Sequence, residues 1–265
     1  MTASIRNPAA RRAELRRLML AHETASVDEL CAILSASPAT IRRDLAALEA
    51  EGLLSRTHGG AAVQSIRAVE QNFAQRELED VEEKRLIAEA TVALIAPGST
   101  IFMNDGSTLM AVARAIVSAG IEVFVATPAV NVAAKLSENP RVMACLLGGF
   151  VRPTSLATSG HFTEAMVAQI DADLAILASD AVSVSGGMAF RHPGDAGLAQ
   201  RMMERSRETI LVATARKLNK RQRIIAAPLS RIGKLVTGPG APVKDLVAAG
   251  INIVTAGDQR DSDAA

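Results

Sequence analysis

Between Ser26 and Val63 the chain reads SVDELCAILSASPATIRRDLAALEAEGLLSRTHGGAAV, and no other stretch restricts the fold so tightly. Ser26 followed three residues later by Glu29 is a capping box, in which hydroxyl and carboxylate satisfy backbone donors that a helix start leaves open. Val27, Leu30, Cys31 and Leu34 then recur as one apolar stripe, and Ser35-Ala36 supplies a turn. A second helix is predicted at once over residues 38–51: Ser37 is a good N-cap, Pro38 suits the first helical position, and Gly52 is a good stop. Leu53 to Thr57 reads as a strand, His58-Gly59-Gly60 as a tight turn and Ala61 to Val63 as the returning strand. Two helices across a short turn with a hairpin behind them make a winged helix-turn-helix.

At 100° per residue, Ile41, Leu45 and Leu48 share one face of the second helix, which must be the buried one. The opposite face carries Ala39, Arg43 and Ala46, flanked by Thr40 and Arg42. Small residues let a backbone approach a groove floor, and arginines in the N-terminal half of the helix reach phosphates or a guanine edge. The residues expected at duplex DNA are therefore Ser37, Ala39, Thr40, Arg42 and Arg43, with Arg56 and His58 from the wing. The competing reading makes TIRRDL an ordinary solvated face; capped helices, turn and hairpin in this order argue against it.

Charge bears on how such a module binds. The whole chain carries a formal net charge of only +1, and Arg6, Arg11, Arg12, Arg16, Arg17, Arg42, Arg43 and Arg56 in the first sixty residues are partly balanced by acids. One copy neutralises few phosphates, so a homodimer or homotetramer is expected. Trp and Tyr are absent and Phe is sparse, which disfavours stacking platforms for single strands. Cys31 and Cys145 are the two cysteines; each sits in an apolar run and reads as a buried free thiol, so no disulfide framework is expected. His22, His58, His161 and His192 lack metal-ligand spacing, and no metal or other cofactor is expected. No leader pattern opens the chain and no apolar run reaches the roughly 18 residues of a membrane span. The expectation is a cytoplasmic protein without membrane contact.

Asn7-Pro8 opens a further predicted helix through about His22, with Leu15, Leu18 and Met19 inward. The expected division is a DNA-binding domain over residues 1–63, a charged, aperiodic linker over 64–83, and an α/β domain over 84–265. In that domain, apolar runs at 100–103, 122–126, 142–147, 174–178, 209–213, 234–237 and 251–255 alternate with helical patterns such as 82–95, 109–118 and 129–137. Continuous apolar strands separated by helices imply a mostly parallel sheet covered on both faces. A ligand then sits at the carboxyl ends of the strands. The loops there carry Asn104, Asp105, Gly106, Ser107 and Thr108, then Thr127-Pro128, then Gly148-Gly149 with Arg152 nearby, then Ala215-Arg216-Lys217. A glycine and two hydroxyls at a strand-to-helix turn can cradle an anion, although such turns are also ordinary caps. Converging, they describe a pocket for a small phosphorylated or polyhydroxy compound.

With these residues laid out, the chain resembles the DeoR family of transcriptional regulators over nearly its whole length. ATIRRDLAALEAEGLLSRTHGGA, residues 39–61, is similar to that family's helix-turn-helix almost position for position. The second half resembles the family's effector domain, which implies a fold related to ribose-5-phosphate isomerase and coenzyme A transferases. Where the family shows IFLDSGTT, TN, GG and LADSSK, this chain has Asn104 for the first Asp, Ser107-Thr108 for Thr-Thr, Pro128 for Asn and Thr214 for the last Asp, while Lys217 matches. The resemblance implies a repressor of a carbohydrate catabolic operon, released by a sugar-derived, phosphorylated effector. Two further readings are an isomerase-like enzyme using Asp105, Asp180 and Lys217, and a regulator whose pocket no longer binds.

Overall fold

The structure, a computed structural model, describes residues 11, 12, 14, 15, 18, 24–50, 55–57, 60–62, 73, 76–152 and 155–257. The chain divides into two units, Met1–Asn72 and Phe73–Ala265, so residues 73–83, expected as linker, belong to the second.

In the first unit, strand β1 (Thr24–Ser26) leads directly into α1 (Val27–Leu34), and α2 (Pro38–Ala50) follows the turn. The Ser26–Glu29 capping box is closed in both directions, and Ser35 ends α1 in the left-handed conformation. Ser37 Oγ accepts the Thr40 N–H at 3.3 Å, which starts α2 where the sequence predicted. Strands β2 (Ser55–Thr57) and β3 (Gly60–Ala62) pair antiparallel as the wing, and β1 adds a third strand on β3. That third strand was unforeseen because Thr24–Ser26 reads as a mere lead-in to the helix cap. Gly52, Leu53, Gly59 and Val63, and most of the helix expected from Asn7 to His22, lie outside the described residues.

Leu15, Leu18, Val27, Leu30, Leu34, Ile41, Leu45 and Leu48 form the core of this unit, each leucine contributing about 1.5–3 kcal/mol by leaving water. Beside them Arg11 Nε pairs with Asp44 Oδ2 at 2.5 Å, both side chains being almost fully buried. Cys31 and Cys145 are free thiols, each half-buried rather than buried as expected.

In the second unit the chain runs through α3 (Val81–Val92), β4 (Thr100–Met103), α4 (Ser107–Ala119), β5 (Val123–Thr127), α5 (Val130–Leu136) and β6 (Val142–Leu146). Next come β7 (Phe150–Arg152), β8 (Ala157–Ser159), α6 (His161–Ala168), β9 (Ala172–Ala178), β10 (Ala181–Ser183), β11 (Gly187–Phe190), α7 (Pro193–Glu204) and β12 (Ser206–Val212). The last elements are β13 (Ile224–Ala227), β14 (Lys234–Thr237), α8 (Lys244–Ala248) and β15 (Ile253–Thr255).

A seven-stranded sheet in the order β15-β14-β12-β9-β4-β5-β6 forms its centre, parallel at every pairing. Strand side chains alternate between its faces. Ile101, Met103, Ile176, Val212 and Val236 pack with α3, α4 and α5; Phe102, Ala175, Leu177, Leu211 and Leu235 pack with α7, α8 and a small antiparallel sheet. That small sheet has the order β10-β11-β13. It and the β7–β8 hairpin were not anticipated. Both are short, and neither carries a run long enough to separate alternation from chance.

Candidate functional site

On α2, Ile41, Asp44, Leu45 and Leu48 are buried, while Pro38, Ala39, Arg42, Arg43 and Ala46 are exposed. The amphipathic split therefore follows the predicted angles, with Asp44 on the inner face as partner of Arg11. Ser37 is exposed and its hydroxyl also lies 2.9 Å from that of Thr40, so these two residues are tied into the helix start. The solvent face that remains is two guanidinium groups beside two alanine methyls, the chemistry of a helix able to lie in a major groove. Arg56 contributes its backbone to β2; His58 lies outside the described residues.

The second constellation gathers at the carboxyl end of the parallel sheet. Gly106, at φ 138°, is the N-cap of α4, and no side chain caps that helix. The first-turn N–H groups at Ser107 and Thr108 are thus available to an anion, in line with the helix dipole. Ser107 is half-buried and Thr108 buried. Asn104 is committed otherwise: its Nδ2 donates to the Ala178 carbonyl at 2.9 Å and its Oδ1 accepts the Ala178 N–H at 2.8 Å. An ionised aspartate could accept but not donate here, whereas Asn104 clasps β4 to β9 through both halves of its amide. Thr127 Oγ1 likewise accepts the Ala129 N–H at 3.1 Å at the entry to α5. Gly149, at φ 152°, has no room for a side chain: a Cβ there would stand 2.2 Å from Thr163 Oγ1 and 2.8 Å from the Ser159 carbonyl. Its glycine is explained by this packing.

Lys217 ends a 3-10 turn, Ala215–Lys217, and donates from Nζ to the Ser179 carbonyl at 2.6 Å. Burial lowers its pKa to about 8 against the pull of Asp180, and the charges of Arg216, Arg76 and Lys84 act in the same direction as burial. Glu83 Oε1 accepts the Ala215 N–H at 2.6 Å, holding that turn from α3. Lys84, buried, donates to the carbonyls of Arg76 and Glu79, and burial lowers its pKa too. Arg152 pairs through Nη2 with Asp195 in the first turn of α7. Burial works against the charge on Arg152, but Asp195 and Asp105 carry its pKa above the usual value.

Asp105 is raised from 3.8 to about 6, first by burial and then by the charge of Asp195, with Arg152 and Arg76 opposing. The folded protein therefore keeps a proton on Asp105 that the unfolded chain has released. Stability from this group is present below pH 3.8, is lost as pH rises towards about 6, and is flat above. In thermal denaturation across that window, Asp105→Asn should remove part of the parent's decline with pH; a variant with the parent's slope would refute the assignment.

At the sheet's carboxyl end Asp105, which precedes Gly106, Ser107 and Thr108, interacts with Arg152, Asp195 and Arg76, and Arg76 also acts on Lys217; Asp195 and Arg76 were not foreseen. Asp195 stood in the segment FRHPGD, whose proline and acid mark a helix start, but the partner across the hairpin was not legible. Among the described residues no group of three or more His, Cys, Asp or Glu could hold a metal ion, and no helix is long and apolar enough to cross a membrane.

Compared with known proteins, residues 11–67 match the DeoR-like helix-turn-helix domain and residues 79–239 the DeoR C terminal sensor domain. The HTH-type transcriptional regulator GlpR of Haloferax volcanii is 32% identical, over 93% of this chain and 97% of the relative. The HTH-type transcriptional repressor CsqR of Escherichia coli strain K12 is 32% identical over 80% of each. The glycerol-3-phosphate regulon repressor of the same strain is 30% identical over 82% of this chain and 86% of its own.

Proposed function

The chain belongs to the DeoR family of transcriptional regulators, and from that premise we propose that it represses a carbohydrate catabolic operon and leaves its operator when a phosphorylated, sugar-derived metabolite binds the second unit. It is a DNA-binding regulator and not an enzyme: the relatives are regulators of the helix-turn-helix type, so the isomerase reading falls. The observation that carries the proposal is the exposed face of α2, where Ala39, Arg42 and Arg43 stand clear of the core on a helix fixed from behind by Ile41, Leu45 and Leu48. Support for a phosphorylated effector comes from the open first turn of α4, the Lys217 ammonium beside the Ser179 carbonyl just past the end of β9 and the name of the glycerol-3-phosphate regulon repressor.

Release is a matter of differential affinity. The metabolite must favour an arrangement of a homodimer or homotetramer in which two copies of α2 no longer match successive half-sites. Groups that touch only the metabolite contribute to the coupling between sites and not to DNA affinity. Lys217→Ala and Ser107→Ala should accordingly bind operator as the parent does in gel-shift assays, yet remain bound when sugar phosphate is added. Variants released at the parent's concentration of sugar phosphate would take Lys217 and Ser107 out of the effector site, and a parent that no sugar phosphate releases would point to the reading in which the pocket no longer binds.

A further inference from the structure

Among the described residues, three polar atoms buried at one junction of the second unit have no hydrogen-bond partner: Asn131 Nδ2, Arg152 Nε and Ser155 Oγ. The junction is built by backbone bonds. The Val130 N–H donates to the Leu156 carbonyl at 3.0 Å, the Leu156 N–H to the Arg152 carbonyl at 3.0 Å, and the Thr158 N–H to the Pro128 carbonyl at 2.8 Å, while Ala129 bridges Ala157. Leu156 to Thr158 are therefore seated on the entry to α5. A buried donor left without an acceptor costs about 1–3 kcal/mol, and buried polar groups are otherwise nearly always paired. Three at one junction call for an occupant.

The surrounding charges restrict what that occupant is. Arg152 is neutralised through Nη2 by Asp195, and Asp105 faces the same pair. A second anionic group would meet two carboxylates here. Hydroxyl groups suit the place, because each can accept from Asn131 and Arg152 Nε while donating to Asp105 or Asp195. We propose that Asn131, Arg152 and Ser155 form the hydroxyl-reading end of the effector pocket, taking hydroxyl or carbonyl oxygens of a sugar or polyol, with the anion held separately at Gly106–Thr108. This rests on the effector reading given above and specifies which part of the metabolite each end binds.

The test uses the full chain with fructose 6-phosphate, ribose 5-phosphate, glycerol 3-phosphate, sorbitol and inorganic phosphate as probes, read by thermal shift and calorimetry. At least one sugar phosphate should bind the parent more tightly than inorganic phosphate. Asn131→Ala and Ser155→Ala should each weaken that sugar phosphate by about tenfold or more and leave inorganic phosphate unaffected. Without probe Ser155→Ala should melt at or above the parent, since an unpaired buried group has been removed, whereas Asn131→Ala also gives up the bond that its Oδ1 accepts from the Val132 N–H at 3.0 Å and should melt close to the parent. Variants that bind the sugar phosphate as the parent does, or that melt lower without probe and lose every ligand alike, overturn this proposal alone. A parent that none of the probes stabilises overturns the effector reading and this proposal with it.

Discussion

Asp44→Ala should destabilise the helix-turn-helix unit by about 3–5 kcal/mol, the usual cost of removing one partner from a buried ion pair. Arg11 and Asp44 meet at 2.5 Å with both side chains almost fully shielded. Truncating the carboxylate takes a buried acceptor from a guanidinium that cannot lose its charge. A small unit has few kilocalories in reserve, so this loss should melt α2 out of register with its fellow helix at ordinary temperatures. Operator binding should vanish with it. The transition belonging to residues 73–265 should be unmoved in calorimetry, because the ion pair lies entirely in the first unit. Replacing both partners by apolar residues of similar size, as in Arg11→Met with Asp44→Leu, should recover most of the stability, since a buried pair is often neutral against good apolar packing. An Asp44→Ala chain that melts and binds as the parent does would show the pair to be immaterial.

Arg43→Ala carries the second large effect, on recognition and not on folding. Its side chain is exposed at the centre of the outward face of α2, so truncation removes no core contact. If it makes a bidentate contact to a guanine edge, its loss should cost about 1–3 kcal/mol of operator affinity and relax preference at one base pair. Arg42, towards the edge of that face, should act mainly on phosphate; Arg42→Ala should weaken specific and random duplexes alike and flatten the salt dependence. Titrations at several salt concentrations separate these outcomes. Equal binding by both variants and the parent on both kinds of duplex would remove α2 from the interface.

How far these features could be read in advance follows from the range of the interactions involved. The helix-turn-helix was legible because its determinants are local: Ser26 and Glu29 are three residues apart, Pro38 adjoins its cap, and Ile41, Leu45 and Leu48 repeat at helical spacing. The parallel sheet was legible because strands buried on both faces need unbroken apolar runs, as in LAILA at 174–178. Long-range polar pairs left no such trace. Arg11 and Asp44 are 33 positions apart, and Asn104 reaches Ala178 across 74. From sequence, Asn104 looked like a lost carboxylate at a ligand site; in the fold it is a bridge that an ionised carboxylate could not make, because one arm must donate. The β7–β8 hairpin, which carries Arg152 to Asp195, went unread because VRPTS resembles any surface loop, and so the orphaned groups at Asn131 and Ser155 went unread too.

In the proposed function, one chain joins an operator-reading α2 to a metabolite site that loosens its grip. The most direct measurement is fluorescence anisotropy of the purified full chain on a duplex from the region upstream of its own reading frame, titrated at fixed salt against a scrambled duplex, without and with the sugar phosphates named above. Binding to the upstream duplex should be the tighter, and it should be weakened by at least one sugar phosphate in the parent but not in Lys217→Ala. Equal affinity for upstream and scrambled duplexes, unchanged by every sugar phosphate, would contradict the proposed function.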